Sequence, residues 1–157
     1  MFLQEILSPE YIKVNMEAED KDEAFEELVD HFCQSEKSNI REEILESLYI
    51  REAKMSTGFQ KGIAIPHGNT NAIDSVCGVL GISRKGVDYE SLDGEPVYLF
   101  FMIIAPEKDT EKHLRILKRV AELLENPQFY FDLQAQKDAQ GAYKVICKYE
   151  DILAALD

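Results

Sequence analysis

The run VYLFFMIIA, residues 97 to 105, constrains the fold more than any other part of the chain. It holds nine consecutive uncharged residues, most of them β-branched or aromatic. A strand with one face in water alternates apolar and polar residues, whereas this run is apolar on both faces. It therefore predicts a central strand that helices cover on each side. As a helix the run would be too short to cross a bilayer, which takes about 20 residues.

Hydrophobic periodicity predicts what surrounds that strand. Alternating Ile12, Val14 and Met16 predict a first strand, and short strands are expected over residues 62–65 and 76–82. Helices are expected over roughly residues 20–33, 40–52 (capped by Asn39 with Glu42), 110–125 and 139–155, and a short helix opens at Asn126 and Pro127. The mixture predicts an α/β fold: a single-domain sandwich over residues 1–157, with helices on both faces of a mixed sheet.

The acidic composition limits the classes of partner. The formal net charge is -13 and the pI is near 4.6. Such a field repels polyanions, so neither nucleic acid nor an anionic membrane surface is expected to bind. The amino-terminal sequence does not resemble a secretory signal, so a cytoplasmic location without membrane insertion is expected. Three widely spaced cysteines favour reduced thiols over a disulfide framework.

The segment GIAIPHG, residues 62 to 68, holds the first candidate for chemistry. Ile63 to Ile65 predict a short buried strand, which Pro66 ends because it cannot donate to the ladder. His67 then lies at the outgoing edge of the strand, accessible and held by a rigid element, as a nucleophilic imidazole requires. Gly68 is expected to take a positive φ and to leave room for a close approach. A loop histidine without a catalytic role is the alternative.

A second histidine, His113, is predicted in the first turn of the helix after the central strand. Ligands of α/β sheets collect at the carboxyl ends of strands, and helix amino termini offer free N–H groups to anions. The helix dipole favours a neutral imidazole that can donate one hydrogen bond to an oxyanion. A capping or merely half-buried histidine is the alternative.

Arg51 is the third candidate, at the end of the core-facing stripe Ile40, Ile44, Leu48. A guanidinium there should meet an anion, either a carboxylate or a phosphoryl group that fits its planar fork. Two imidazoles and a guanidinium favour phosphoryl handling without a metal or cofactor. The three histidines of the chain show no recognised zinc-ligand spacing.

The segments REAKMSTGFQKGIAIPHG, SLDGEPVYLFFMIIAPE and HLRILKRVAELL together resemble the type 2 enzyme IIA (EIIA) domains of the bacterial phosphotransferase system, the mannitol, fructose and nitrogen-regulatory group. The resemblance implies a sheet of mostly five strands, no cofactor, and phosphorylation of His67 by the carrier HPr or its nitrogen-branch counterpart NPr. It assigns His113 and Arg51 to stabilising the phosphoryl group. Ser56 and Thr57 match the family and are expected either to offer hydroxyls to the phosphoryl oxygens or to cap the loop.

The chain departs from the family pattern at Phe59, Gln60 and Lys61, where relatives commonly have a small, polar run. A ring and an extra cation beside the site are expected to affect the choice of partner. Phe59, Lys61 and Gly68 are therefore predicted to face the partner.

Three functions remain open at this point. A stand-alone regulatory EIIA of the nitrogen branch, acting on a regulatory target, is favoured by the absence of fused transporter segments. A sugar-transport EIIA would instead pass the phosphoryl group to a cysteine of an EIIB domain. An unphosphorylated binding module, with Lys61 as a resident cation, is the alternative from another class.

Overall fold

The computed structural model describes residues 2–37 and 39–156, without the side chains of Phe59 and Gln60. Within these residues, six strands form one mixed sheet. They are β1 (Ile12–Lys13), β2 (Gly58–Gln60), β3 (Ile63–Ala64), β4 (His67–Asn69), β5 (Cys77–Val87) and β6 (Val97–Ala105). The predicted central strand is confirmed with the predicted bounds.

The sheet has the lateral order β1-β5-β6-β3-β2, and β4 also pairs with β6. β3 and β4 follow one another along the same strand, since Ile63 pairs with Leu99 and His67 pairs with Ile103. They therefore act as one strand interrupted at residues 65–66, and the sheet is five strands wide. β6 runs parallel to both of them and antiparallel to β5.

The helices are α1 (Lys21–Glu36), α2 (Arg41–Glu52), α3 (Thr110–Leu124), α4 (Pro127–Gln134) and α5 (Ala139–Leu156). All five expected helices are present, and the Asn126 side chain caps α4 as its position before Pro127 suggests. The predicted capping of α2 by Asn39 with Glu42 is wrong. Ile40 precedes the first turn of α2 without a side-chain cap, and the Glu42 carboxylate pairs with Arg41 at 3.0 Å.

Each face of the sheet is covered by an apolar core, which confirms the predicted α/β sandwich. One core joins α1 and α2 to the sheet through Phe25, Leu28, Ile44, Leu48, Phe100, Met102 and Ile104. The other joins α3, α4 and α5 to the sheet through Ile116, Val120, Phe129, Ile146, Leu99, Phe101 and Ile103. Alternate residues of β6 enter opposite cores because successive side chains of a strand point to opposite faces. In the described part of the chain, no helix combines the length and apolar character needed to cross a membrane.

This topology places the start of α3 close to the carboxyl ends of β4 and β6, which lie at the same edge of the sheet. β4 and β6 run in parallel toward that edge, and α3 begins just after β6, beyond Pro106 and a short turn at Glu107–Asp109. α2 packs against β4 from the side, with Ser47 touching Gly68. The residues that follow Pro66 and those that open α3 are therefore neighbours, although they are far apart in sequence.

Candidate functional site

His67 is the first residue of β4 and is half-buried. Its Nδ1 lies 2.8 Å from the carbonyl oxygen of Ile65, which can only accept, so Nδ1 carries the proton and donates. The Nε2 atom of the neutral ring therefore keeps its lone pair. Burial lowers the pKa of His67 below its ordinary value, and the Arg51 guanidinium also lowers it, against the opposing effect of the bond to Ile65. The ring is held as a neutral nucleophile.

His113 lies in the first turn of α3 and is 5% exposed. The centroids of its ring and the His67 ring are 5.7 Å apart, in an edge-to-face arrangement. Burial lowers the pKa of His113, and His67 lowers it further. Its Nε2 atom is buried without a hydrogen-bond partner among the described residues. A buried polar atom without a partner is costly, so this nitrogen has capacity for a ligand.

Arg51 is the penultimate residue of α2 and lines the same pocket as the two histidines. Its Nη1 donates to the carbonyl oxygen of Met55 at 2.8 Å. Among the described residues, the guanidinium forms no ion pair with a carboxylate. The carboxylate partner considered as an alternative is thus not found there, and the charge is available to an anion.

We call the cavity between α2, β4 and α3 the imidazole pocket. It has a volume of about 300 Å³, and its lining includes Arg51, Lys54, His67, Asn69, His113 and Leu114. Two imidazoles and two cationic side chains around a space of this size can surround a tetrahedral oxyanion. The sequence prediction that His67, His113 and Arg51 lie together therefore agrees with their placement.

Gly68 is needed for packing, and its expected positive φ is wrong. A Cβ atom on Gly68 would lie 2.7 Å from the backbone and hydroxyl of Ser47. The φ angle of Gly68 is not positive, in contrast to the φ angles of Gly62, Gly86 and Gly94. Only a residue without a side chain lets α2 approach β4 this closely. The residue is buried and also lines the imidazole pocket.

Ser56 and Thr57 are not among the residues that line the imidazole pocket. The Ser56 hydroxyl accepts from the backbone of Gly58 at 3.2 Å, as a loop cap does. Thr57 is buried in a cluster that we call the carboxylate network: Glu52, Thr57, Tyr89 and Lys21. Both hydroxyls thus have partners within the protein.

Glu52 is the centre of the carboxylate network and is 9% exposed. Its carboxylate accepts from the Thr57 hydroxyl at 2.6 Å and from the Thr57 backbone at 2.8 Å. The Lys21 ammonium pairs with it at 3.2 Å, and the Tyr89 hydroxyl lies 2.7 Å from the Thr57 hydroxyl. Burial raises the pKa of Tyr89 above its ordinary value, and the Glu52 charge raises it further. The network ties the end of α2 to β2.

Of the remaining predicted positions, Lys61 lies outside the imidazole pocket, and the Phe59 side chain is outside the described residues. Lys61 is exposed, with φ 55°, and its backbone donates to the Asp93 carboxylate at 3.0 Å. It lines a different groove, with Tyr130 and Phe131. No group of three or more His, Cys, Asp or Glu side chains suited to a metal ion occurs within residues 2–37 and 39–156.

Sequence reasoning missed Asn69, which lines the imidazole pocket, and Glu52, the centre of the neighbouring carboxylate network. The Asn69 amide lies 3.3 Å from Nδ1 of His113. Its position two residues after His67 was the only available signal, since strands place alternate residues on one face. Glu52 follows Arg51 directly, but an acidic residue in an acidic helix carries no distinguishing pattern.

Comparison with known proteins assigns the family. A family model described as "Phosphoenolpyruvate-dependent sugar phosphotransferase system, EIIA 2" matches residues 5–149. The chain belongs to this family. The resemblance found in the sequence is confirmed, and the protein is a phosphotransferase-system domain of the EIIA type, a family of phosphoryl carriers.

Relatives of this EIIA domain include both transport and regulatory proteins. The PTS system fructose-specific EIIABC component of Bacillus subtilis is 40% identical over 124 residues, covering 79% of this chain and 20% of that protein. The chain thus spans about a fifth of that relative's length. The nitrogen regulatory protein of Bradyrhizobium diazoefficiens is 33% identical over 146 residues, covering 93% of this chain and 95% of that protein.

A solved structure shares the fold. The crystal structure of the nitrogen regulatory protein IIA-Ntr from Neisseria meningitidis superposes with a TM-score of 0.84 at 28% identity, over 92% of this chain and 98% of that one. The agreement confirms the fold class predicted from the sequence.

Proposed function

We propose that this EIIA domain carries a phosphoryl group on Nε2 of His67, which it accepts from a phosphohistidine of HPr or NPr. One observation carries the proposal: a second imidazole, His113, faces His67 at 5.7 Å and its buried Nε2 has no partner among the described residues. A phosphoryl oxygen would supply that partner.

The acceptor atom follows from the tautomer of His67. Because Nδ1 donates to Ile65, the lone pair of the neutral ring is on Nε2. This lone pair forms the new P–N bond while the P–N bond of the donor breaks, and its electron pair stays on the donor nitrogen. His67 needs no base, since the attacking nitrogen carries no proton. The positive charge that develops on the phosphorylated ring is stabilised through Nδ1–H and the Ile65 carbonyl.

The transition state is stabilised by the rest of the imidazole pocket. Charge in phosphoryl transfer lies mainly on the equatorial oxygens, so preorganised donors and cations accelerate it. The Nε2 of His113 and the Arg51 guanidinium are the two groups that we assign to those oxygens. Ser56 and Thr57 are assigned to holding the loop after α2, because their hydroxyls already have protein partners.

The donor is expected to dock on the apolar rim of the pocket. Ile50, Met55 and Leu114 are 59%, 58% and 62% exposed, and they lie on α2, on the loop after it and on α3. Direct transfer between two imidazoles requires that the partner exclude water here. The net charge of -13 favours a partner with a basic patch beside its own histidine. Lys61 and Phe59 remain predictions for the partner-facing surface, whereas the prediction for Gly68 is wrong because that residue is buried against Ser47.

For the physiological role we favour a regulatory EIIA of the nitrogen type. The match to a nitrogen regulatory protein covers 93% of this chain, and the match to the fructose component covers 79%. In this role the added phosphoryl charge alters binding to a regulatory target. The second candidate is a fructose-type EIIA that passes the phosphoryl group to an EIIB cysteine, which the 40% identity to the fructose component favours.

Intact-mass analysis after incubation with enzyme I, HPr and phosphoenolpyruvate tests the acceptor. One phosphoryl group is expected on the wild type and none on His67→Ala. His31→Ala is the matched control, since His31 lies on α1 outside the pocket, and it should be labelled like the wild type. An unlabelled wild type would favour the binding module, and a labelled His67→Ala would move the acceptor elsewhere.

Chase experiments separate the two roles. The phosphorylated protein is mixed with a purified fructose-type EIIB domain, and the phosphoryl group is followed by mass on both chains. Rapid transfer to the EIIB cysteine would support the sugar-transport role and count against the regulatory one.

A further inference from the structure

Asn69 is the last residue of β4, and its amide contacts the second histidine of the imidazole pocket. The Nδ2 atom lies 3.3 Å from Nδ1 of His113 and 3.4 Å from the carbonyl oxygen of Ala105. Asn69 also pairs with Ala105 in the sheet register, so its backbone is anchored beside the end of β6. His113 comes from α3, which holds the imidazole from the other side.

The contact to Ala105 determines which way the amide faces. A carbonyl oxygen can only accept, so the atom of the Asn69 side chain that approaches it must be the NH₂ group. The same NH₂ group has a second hydrogen for Nδ1 of His113. Nδ1 is then the acceptor, and in a neutral imidazole with Nδ1 accepting, the proton is on Nε2.

We propose that Asn69 is a positioning residue, which fixes the tautomer of His113 so that Nε2–H is directed at the phosphoryl group on His67. The inference rests on the proposed function and deepens it, since it names the residue that makes the second imidazole a donor. In the opposite tautomer, the lone pair of Nε2 would face the phosphoryl oxygens and repel them. The tautomer therefore decides whether His113 helps or hinders transfer.

The structural setting makes this role separable from folding. Asn69 is exposed, unlike the buried Gly68 before it, so a change of its side chain removes little packing. The Nε2 atom of His113 is buried and has no partner among the described residues, so no protein group there sets the tautomer from that side. Control of the proton thus falls to the Nδ1 side, where Asn69 lies.

Asn69→Asp is the decisive substitution. A carboxylate of the same shape cannot donate to Nδ1, and it accepts from Nδ1–H instead. His113 should therefore change from the Nε2–H form to the Nδ1–H or doubly protonated form. Asn69→Ala removes the donor without adding charge, so it should give a mixture of the two tautomers.

The tautomer is measured directly by ¹⁵N–¹H spectra of the imidazole rings in the unphosphorylated protein at neutral pH. The chain has three histidines, so the His113 signals can be assigned from the spectrum of His113→Gln. The Nε2–H pattern in the wild type and its loss in Asn69→Asp are expected. An unchanged His113 tautomer in Asn69→Asp would overturn the inference.

The functional arm measures the rate of phosphorylation by phospho-HPr. Asn69→Asp should slow it by about 10–100-fold, the range known for losing the partner that orients a metal-bound histidine. Ala72→Asp adds the same charge three residues away, at an exposed position outside the imidazole pocket, and should leave the rate within a few-fold of wild type. A tautomer change without a loss of rate beyond that of Ala72→Asp would also overturn the inference.

The two arms separate this inference from the proposed function. The spectra need no phosphoryl donor, so they test Asn69 even if the carrier role fails. A wild type that is not labelled on His67 contradicts the proposed function and, with it, the role of Asn69 in transfer. A labelled wild type with an unchanged His113 tautomer in Asn69→Asp contradicts only the assignment of Asn69.

Discussion

The imidazole pocket and the carboxylate network each include one of the last two residues of α2, yet their polar atoms find partners in different ways. In the network, Glu52 accepts from Thr57 and pairs with Lys21, and the Tyr89 hydroxyl closes the cluster. In the pocket, one nitrogen of His113 is buried without a partner among the described residues. Arg51 and Glu52 are adjacent in the chain, but Arg51 lines the pocket whereas Glu52 belongs to the network.

The difference distinguishes a cluster that stabilises the fold from a site that can bind a ligand. A buried polar cluster whose members bond to each other stabilises the fold, and it offers little to a ligand. A buried donor without a protein partner lowers stability unless a ligand completes it. His31 also has a buried Nε2 without a partner in the described part of the chain, so that feature alone does not identify a binding site. The pocket adds a second imidazole and a guanidinium.

Removing the carboxylate from the network tests its structural role and should give the largest effect. Glu52→Ala leaves the Lys21 ammonium and the Thr57 backbone N–H without the carboxylate that they contact. The free energy of unfolding should fall by about 3 kcal/mol, the lower end for a broken buried pair, because Lys21 keeps some contact with water. Urea denaturation measures the change.

Glu46→Ala is the control, an exposed residue of the same helix. It should change the free energy of unfolding by less than about 0.5 kcal/mol. The folded fraction of Glu52→Ala should still be labelled on His67. A loss below about 1 kcal/mol would show that the network does not stabilise the protein in the way proposed.

Removing the guanidinium should affect transfer more than stability. Arg51→Ala loses a cation that we assign to the phosphoryl oxygens, so phosphorylation by phospho-HPr should slow by about 100-fold. Loss of its hydrogen bond to the Met55 carbonyl should lower the free energy of unfolding by only about 1 kcal/mol. Rapid-quench kinetics and urea denaturation measure the two quantities.

Arg51→Lys and Arg115→Ala sharpen this result. Lysine keeps the charge without the planar fork, so its rate should lie between wild type and Arg51→Ala. Arg115 is an exposed residue of α3, and its loss should leave the rate nearly unchanged. An Arg51→Ala variant that loses stability but transfers at the wild-type rate would place Arg51 with the network instead.

Lowering the pH should reduce the free energy of unfolding by a smaller amount. His67 and His113 have pKa values lowered by burial, so between those values and the unfolded value of about 6.5 the unfolded chain binds more protons. The free energy of unfolding should therefore fall as the pH falls below about 6.5, by at most about 1.4 kcal/mol per pH unit for each histidine.

Urea denaturation at several pH values compares the wild type with His113→Gln. The variant should lose part of the acid slope, because glutamine does not titrate. His31, whose pKa burial also lowers, still contributes in both proteins. An identical slope in the two proteins would mean that the pKa of His113 is not lowered on folding.

The fold was predictable from the sequence where the signal was local. The apolar run gave the bounds of β6, and the amphipathic stripe of α1 contains Phe25, Leu28 and Phe32, all of which are buried. The interruption at Pro66 was also visible, because proline cannot donate to a ladder. Each of these features depends on neighbouring residues and their periodicity.

The details of the site depended on contacts across the sheet. β4 forms at His67 because His67 pairs with Ile103 of β6. A glycine is needed at position 68 because Ser47 of α2 lies against it. Thr57 looks like a ligand in its motif, but Glu52 and Tyr89 occupy its hydroxyl. No local pattern encodes such partners.

The sequence by itself determined which residue types were available for chemistry and on which strand or helix they lie, because apolar periodicity and proline act within a few residues. Tertiary structure alone decided that His67 and His113 face each other and that Asn69 contacts the second of them. It did so because β4 pairs in parallel with β6, and that pairing brings segments distant in the chain to one edge of the sheet.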